Sequence, residues 1–313
     1  MVLPILQSLE VVSKGKFHTK EWLIPLAIAA GVGGMFTLIG STPQLIVQSQ
    51  LIENNLQTFG FFEFSKIAFP IMILYFLYIK TIGNKLAVKL WHDDRIVPDE
   101  AEVFDFKPIK LDKNQIINLV IFLGTVIAIV LSDSLDFINI SLGMIALTGA
   151  FLAIIVGHIE FETVLQEVDL DSFLILGASI GFAAALEYSN SAQYVTYMML
   201  DLIGPNNPYM LFVLVVILTN VFTQFMSNTG ISGMMVYIGL TLASVLHVNP
   251  MTFMAAIVFA ASISFATPLA SPPMTLVFKP GGFKFKDYIK YSLPFNVLCI
   301  VAIIILIPIF WPL

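Results

Sequence analysis

Long apolar runs alternate with short charged segments along the chain, and this pattern predicts membrane-spanning helices. Two of the runs, at 21–51 and 251–278, are interrupted by Gly, Ser and Pro residues. We therefore expect these two spans to be broken helices. The uninterrupted spans are predicted at 64–80, 115–132, 137–157 and 291–313, with a further long crossing that follows the acidic loop 160–171 and ends near Asp201.

The run at 209–246 has a polar, uncharged centre where a charged loop would be expected. Two apolar arms, 209–226 and 231–246, flank the sequence Ser-Asn-Thr-Gly at 227–230. We predict a re-entrant hairpin with its tip at membrane depth, where non-helical backbone survives only if it is packed in protein or lines a cavity. An ordinary tight turn between two helices is the alternative that this stretch alone leaves open.

The positions of Lys and Arg test this topology. If the hairpin returns to the side from which it entered, every Lys and Arg except Lys66 lies on one side, which is then the cytoplasmic side. A single crossing at 209–246 would instead place the basic segment 279–290 opposite the other basic loops. The charge pattern therefore favours a hairpin.

Composition excludes several classes of protein. The chain has 313 residues, of which 58% are hydrophobic and 12% charged. It is too apolar for a soluble globule, so we predict an all-α, multi-pass protein of the plasma (inner) membrane whose solvent is the lipid bilayer. Its net charge of −6 is small and its basic residues lie beside spans, which argues against nucleic-acid binding. The single cysteine, Cys299, lies in an apolar run, so neither a disulfide framework nor a cysteine metal site is expected.

The two interrupted spans share a motif. Residues 36–47 and 266–277 both contain, in order, Thr, two residues, a small residue, Ser, one residue, Pro and a later Val. The predicted topology gives the two copies opposite orientations, and inverted repeats with broken helices are the architecture of secondary transporters. We predict the C-terminal part of a first inverted repeat at 1–82, a cytoplasmic loop or linker at 83–114, and a second inverted repeat at 115–313 with the hairpin at about 209–246.

Such breaks have a direct chemical use. A proline after small residues frees backbone carbonyls that can bind Na+, and the amino ends of half-helices favour an anion. Gly40 and Ala270 are candidate carbonyl donors, and Ser41, Thr42 and Ser271 are candidate hydroxyl contacts. One Ser-Pro kink alone would indicate only a packing adjustment. Two copies in register, together with a polar hairpin, favour transport.

These residues resemble the divalent anion/sodium symporter family of the ion transporter superfamily, whose members carry dicarboxylates, citrate or sulfate. The triad at 227–229 matches the second Ser-Asn-Thr motif of the family without exception. Met274 replaces a signature Asn, Gln44 occupies the equivalent position of the first repeat, and Gln224 stands where many members have an acidic residue. The remaining signature positions that match are Ser262, Phe265, Pro268, Leu269, Ala270, Leu276 and Val277.

The resemblance implies a Na+-coupled symporter of a divalent anion, with Na+ as coupling ion, no organic cofactor and a homodimeric state. It implies that the anion is held by Ser227, Asn228, Thr229, Ser271 and Pro272, with Ser41 and Thr42 at its opposite end. The implied Na+ ligands are Thr223, Met226, Asn228 and Ala270 in one site, and Gly40 and Ser41 in the other.

The first Ser-Asn-Thr tip of the family is missing from this sequence. The spacing from Thr229 to Thr267, counted back from Thr37, falls just upstream of Met1. We therefore expect the chain to be the C-terminal part of a longer protein, short by roughly a hundred residues on the inverted-repeat argument.

Other functions remain to be weighed. The spans lack the zinc, serine and aspartate signatures of intramembrane enzymes, which argues against an enzyme. An antiporter or an oxyanion exporter of the same superfamily, and an inactive truncated fragment, stay open as alternatives. The substrate, the choice between Na+ and H+, and the stoichiometry are not determined by the sequence.

Overall fold

The computed structural model describes residues 17–91, 112–132, 142–159 and 188–313, with isolated positions between 5 and 13 and between 161 and 185. The elements assigned in these parts are helices, and the prediction of an all-α polytopic membrane protein is confirmed. The chain divides into two compact units, Met1–Phe104 with Ile175–Leu313, and Asp105–Leu174. By length and composition the candidate membrane spans are Ser65–Trp91, Lys113–Leu131, Asn228–Leu246 and Phe285–Phe310.

The first interrupted span forms two helices, as predicted. Helix α1 covers Thr19–Gly34 and helix α2 covers Thr42–Glu53, with a break at 35–41. Ser41 is the extended residue that precedes α2, and Pro43 lies in the first turn. Proline suits this position because its fixed φ matches the helix and its missing N–H would have no partner there.

The next helix is longer than predicted. Helix α3, Ser65–Tyr78, continues through a π-helical turn at Ile79–Gly83 into α4, Asn84–Trp91, where the sequence predicted a loop. Helix α4 carries two lysines, but it buries Ala87 and Trp91 on one side. Residues 92–111 lie outside the described part, so the division of the chain into 1–82, 83–114 and 115–313 stays a proposal.

The second unit contains a pair of packed helices, α5 at Lys113–Ser132 and α6 at Leu142–Ile155. The Asn118 side chain donates to the Gly157 carbonyl at 3.1 Å. These helices confirm the spans predicted at 115–132 and 137–157 wherever the structure describes them. Most of the predicted acidic loop and of the crossing after it lies outside the described residues, and only α7, Ser191–Ile203, represents the end of that crossing.

A helical hairpin lies at the predicted position, and its re-entry at membrane depth stays a prediction. Helix α8, Pro208–Thr223, and helix α9, Asn228–Leu246, pack against each other and are joined by a tip at 224–227. Helix α8 has 16 residues, so it is about 24 Å long and shorter than the ~30 Å hydrocarbon core. Ser227 caps α9 because its side-chain oxygen accepts from the Gly230 N–H at 3.1 Å.

The first half of the second interrupted span is buried throughout. Helix α10, Pro250–Ser262, precedes a break at 263–271 and helix α11, Pro272–Phe278, and the last helix, α12, covers Phe285–Phe310. Every residue at 251–262 is buried. Helix α10 packs against both arms of the hairpin and against α12, so the second break lies inside protein.

The two broken helices lie side by side in opposite directions. Helix α1 packs against α11, and α2 packs against α10, so the first half of each broken helix lies beside the second half of the other. At the crossing, a Cβ added to Gly31 would be 2.8 Å from the Phe265 ring. This antiparallel arrangement confirms the inverted repeat predicted from the shared motif.

Two glycines of α1 give a matched test of this crossing. We expect Gly31→Ala to lower the free energy of unfolding by about 1–3 kcal/mol, because the added methyl group overpacks the buried Phe265 ring. Gly33→Ala meets nothing within 4 Å and should be neutral or stabilising by up to about 1 kcal/mol. Thermal unfolding of the two variants in detergent measures the difference, and equal midpoints would contradict the crossing.

Lys66, the one basic residue on the opposite side in the predicted topology, lies in a local cluster. Its Nζ is 3.1 Å from Glu63 Oε1, which also accepts from the Trp311 indole N–H at 3.1 Å. The Lys66 ammonium lies over the Trp311 ring, 5.5 Å from its centroid. Trp311 also packs edge-on against Phe59, and the Thr252 hydroxyl donates to its carbonyl. Lys66 thus remains a single exception to the excess of Lys and Arg on the other side, which is a statistical bias and tolerates one such residue.

Trp311 should contribute much more to stability than the ion pair in this cluster. Its side chain is 4% exposed, whereas the neighbouring Phe310 is 41% exposed. We expect Trp311→Ala to lower the free energy of unfolding by about 3 kcal/mol, and Phe310→Ala by less than about 1 kcal/mol. Lys66→Met should cost at most about 1 kcal/mol, since exposed ion pairs are weak. Thermal unfolding in detergent checks this ranking, and a Lys66 variant less stable than the Trp311 variant would reverse it.

Candidate functional site

The hairpin tip is joined to the second break mainly through Gln224. The Gln224 side-chain N–H donates to the Ile263 carbonyl at 3.0 Å and to the Asn220 carbonyl at 3.2 Å. Its side-chain oxygen accepts from the Ala266 N–H at 3.0 Å, and its backbone carbonyl accepts from the Thr267 hydroxyl. Gln224 therefore satisfies backbone groups that the break leaves without helical partners.

One carbonyl of the break receives three side-chain amides. Ile263 O accepts from Asn220 at 2.8 Å, from Asn296 at 2.9 Å and from Gln224 at 3.0 Å. All three donors are buried and come from the first hairpin arm, the last helix and the tip. These amides hold the carboxyl end of α10 in one place relative to the hairpin.

Asn228, the first residue of α9, lies at a cluster of oxygens from both sides of the break. The Thr223 hydroxyl is 2.7 Å from the Asn228 side-chain oxygen and donates to the Ala261 carbonyl at 3.0 Å. In the opposite orientation of the amide, its nitrogen lies 2.7 Å from Thr223 Oγ1, 2.9 Å from the Ala270 carbonyl, 2.9 Å from Ser264 Oγ and 3.1 Å from the Ala261 carbonyl. The amide orientation is assigned by the hydrogen bonds it makes.

This oxygen cluster has the chemistry of a cation site. With its nitrogen inward, the Asn228 amide donates to the surrounding carbonyls, and with its oxygen inward the amide adds one more oxygen ligand. The oxygens come from carbonyl, hydroxyl and amide groups, which are the neutral ligands that unwound helices offer to Na+. Among the described residues no group of three or more His, Cys, Asp or Glu could hold a metal ion.

The first turn of α9 lies at the oxygen cluster, because Asn228 is the first residue of this helix. Ser227 precedes the helix, and Asn228 and Thr229 begin it, so the backbone N–H groups of the first turn lack helical acceptors. The helix dipole adds partial positive charge there. Ser227 is exposed and Thr229 is half-buried, so these donors can be reached. The arrangement suits an anion next to a cation.

The first break has a different internal structure. A Cβ on Gly40 would collide with the Gly34 carbonyl, so only glycine allows this close approach. The buried Gln44 side chain donates to the carbonyls of Gly34 at 3.1 Å and Thr37 at 3.4 Å, and it accepts from the Ser41 hydroxyl. Gly40 is exposed, and Ser41 and Thr42 are half-buried.

Of the predicted site residues, Thr223, Asn228 and Ala270 come together at the oxygen cluster. Ser271 reaches the same region less directly, because its hydroxyl donates to the Ser264 carbonyl at 3.4 Å. Met226 is 42% exposed, and Pro272 begins α11. No recorded hydrogen bond among the described residues joins Gly40, Ser41 or Thr42 to the tip. The roles assigned to these residues from the sequence stay predictions.

Sequence reasoning missed several residues that build the site. Asn220, Asn296 and Ser264 were not singled out, and Gln224 was noted only as a departure from a family pattern. An available signal was the presence of amide side chains inside apolar spans, since polar groups at membrane depth are costly unless they have partners. Their partners lie about 40 residues away in the chain, which spacing alone does not reveal.

Comparisons with known proteins identify the family of the chain. A family model described as the sodium:sulfate symporter transmembrane region matches residues 1–313. An uncharacterized transporter of Methanocaldococcus jannaschii is 28% identical over 284 residues, which cover 90% of this chain and 62% of that protein. An uncharacterized transporter of Haemophilus influenzae is 26% identical over 327 residues, covering 99% of this chain and 68% of that protein.

A third relative has a named activity. The sodium-dependent dicarboxylate transporter SdcS of Staphylococcus saprophyticus is 23% identical over 306 residues, which cover 91% of this chain and 57% of SdcS. The chain thus spans roughly three fifths of the length of these relatives. Because the family match covers the whole chain, the protein belongs to the sodium:sulfate symporter family, the divalent anion/sodium symporters, and is an integral membrane protein of the transporter class.

Proposed function

We propose that this protein takes part in Na+-coupled symport of a divalent anion, a dicarboxylate, citrate or sulfate, across the plasma membrane. The observation that carries the proposal is the position of the Asn228 amide, within 3.1 Å of oxygens from both sides of the second break. The name of the relative SdcS, a sodium-dependent dicarboxylate transporter, supports the same coupling ion and substrate class.

In the proposed Na+ site, the ligands are Thr223 Oγ1, the carbonyls of Ala261 and Ala270, and the Asn228 side-chain oxygen. The Asn228 amide can face the other three oxygens in two orientations. Its nitrogen would donate to them, whereas its oxygen would add a ligand to Na+. The carbonyl of Met226, at the end of the tip, is the remaining predicted ligand.

In the proposed anion site, the backbone N–H groups at the start of α9 and the side chains of Ser227 and Thr229 donate to one carboxylate or sulfate. Ser271 and Pro272 lie beside them, and Ser41 and Thr42 are proposed to contact the opposite end of the anion. Asn228 belongs to both sites. A bound cation would therefore orient the residues that bind the anion, and its positive charge would attract the anion. This shared residue is the proposed physical basis of coupling.

The test is uptake by the full-length protein, with every flanking segment that its gene encodes, in proteoliposomes. Radiolabelled succinate, citrate and sulfate are each offered with an inward gradient of Na+, of K+ or of protons. Symport predicts uptake of at least one anion with the Na+ gradient only. Uptake that needs an internal anion would indicate an antiporter, and absence of Na+-dependent uptake for all three would refute the proposal. Light scattering of the same preparation tests the proposed homodimer.

A further inference from the structure

Gln44 closes the first break in a way that has no counterpart in the second. Its side chain is 0% exposed and lies across the break, between the start of α2 and the end of α1. Its N–H groups point at the carbonyls of Gly34 and Thr37, while its oxygen accepts from Ser41. A primary amide presents two N–H donors, so both carbonyls can be served by one side chain.

The oxygens around Gln44 resemble those expected around a cation. The Gly34 and Gly40 segments approach closely enough that a Cβ on Gly34 would be 2.9 Å from the Gly40 carbonyl. The Thr37 hydroxyl would lie 3.2 Å from a Cβ on Gly40. The carbonyl oxygens of Gly34 and Thr37 lie at the Gln44 amide nitrogen, and the Gly40 carbonyl and Thr37 hydroxyl belong to the same close approach of backbone.

The corresponding position of the second repeat is different. The shared motif aligns Gln44 with Met274, which has no side-chain N–H to donate. The carbonyl of Ser264, which aligns with Gly34, accepts from the Ser271 hydroxyl at 3.4 Å and from no side-chain amide among the described residues. In the second break the electropositive group next to the carbonyls is the Asn228 amide, which comes from the hairpin tip and not from the broken helix itself.

We propose that the Gln44 amide occupies the cation position of the first break and competes there with Na+. The inference rests on the proposed function and deepens it, because it names the residue that controls Na+ binding at the first break. The Gln44 amide nitrogen lies 3.1 Å from the Gly34 carbonyl oxygen and 3.4 Å from the Thr37 carbonyl oxygen, where a cation bound to both oxygens would lie. Na+ therefore binds these carbonyls only when Gln44 withdraws. Gln44 then sets the Na+ affinity of the first break.

The experiment measures equilibrium binding of 22Na+ to the purified full-length protein at constant ionic strength, with choline as the replacement cation. Gln44→Met places the residue of the second repeat in the first and removes the competing amide. Gln48→Met is the matched control, since Gln48 lies one turn later on α2 and makes two hydrogen bonds to Phe59 away from the break. Thr223→Val in each background separates the two breaks.

We expect Gln44→Met to bind Na+ at least tenfold more tightly at a site that survives Thr223→Val, and Gln48→Met to bind as the wild type does. Unchanged or weaker binding by Gln44→Met would overturn the inference, since weaker binding would make Gln44 a ligand. Should Gln44→Met not fold, Gln44→Asn shortens the side chain by one methylene group and must show the same gain.

The outcomes also separate this inference from the proposed function. Loss of Na+ binding in Thr223→Val without any gain in Gln44→Met would refute the inference and leave the function standing. A gain in Gln44→Met with no effect of Thr223→Val would support the inference and refute the Na+ site at the second break. No Na+ binding by either variant or by the wild type would refute both.

Discussion

Thr223→Val is expected to weaken Na+ binding ten- to a hundredfold while the protein stays folded. The substitution keeps the shape of the side chain and removes the hydroxyl that contacts Ala261 and Asn228. A polar contact to a charged group is worth about 1.5–3 kcal/mol, which corresponds to this loss of affinity. The measurement is the Na+ concentration that half-saturates anion uptake by the full-length protein in proteoliposomes.

Thr241→Val provides the control for this prediction. Thr241 lies on α9 and its hydroxyl donates to the Tyr237 carbonyl one turn earlier, at 2.8 Å. The same change of atoms therefore occurs in the same hairpin but away from the second break. Thr241→Val should leave the Na+ dependence within about twofold of the wild type. Equal effects of the two variants would mean that Thr223 acts through general stability and not through a cation.

Gln224→Leu is expected to cause the largest loss of stability of any single change at the site, about 3 kcal/mol or more. Leucine fills a similar volume but leaves the Ala266 N–H and the Asn220 carbonyl without their side-chain partner in a buried region. A buried polar group without a partner costs roughly 1–3 kcal/mol. Because Gln224 fastens the tip to the break, Na+-dependent uptake should also be lost. Thermal unfolding in detergent and the uptake assay give the two readouts.

Gln193→Leu is the matched substitution for Gln224→Leu. The Gln193 side-chain oxygen is buried and has no hydrogen-bond partner among the described residues. Replacing Gln193 by leucine removes this oxygen without breaking a recorded hydrogen bond. The free energy of unfolding should therefore change by no more than about 1 kcal/mol. If Gln224→Leu unfolded at the same temperature as Gln193→Leu, the hydrogen bonds between tip and break would not hold the site together.

Patterns within short windows were enough to predict the breaks and the hairpin. Small residues followed by Ser and Pro cannot continue a helix at 35–41 and 263–271, and the shared motif identified both. The polar tip stood out because an uncharged, proline-free centre lies between two apolar arms. The continuation of the span predicted at 64–80 to Trp91 was not predicted, because the exposed Lys85 and Lys89 made this segment look like a charged loop. The helix depends on burial of Trp91 against Phe283 and Tyr291, which the sequence does not show.

The hydrogen bonds of the site depend on tertiary structure, so the sequence alone did not predict them. Gln224 and Gln44 are both glutamines at positions where a family pattern has another residue, so the sequence marked them only as departures. Gln224 forms hydrogen bonds with backbone groups about 40 residues later in the chain, whereas Gln44 bonds to a carbonyl of its own broken helix. Which backbone groups a side-chain amide satisfies is decided by how the broken helices pack, and the motif carries no information about that packing.

The central claim is that one residue, Asn228, links a cation site and an anion site at the second break. Linkage requires that each ligand raise the affinity of the other by the same factor. The most direct measurement is therefore calorimetric titration of the purified full-length protein with the transported anion at several Na+ concentrations, and with Na+ at several anion concentrations. The account predicts equal factors in both directions, lost in Thr223→Val. Anion binding that is independent of Na+ in the wild type would contradict it.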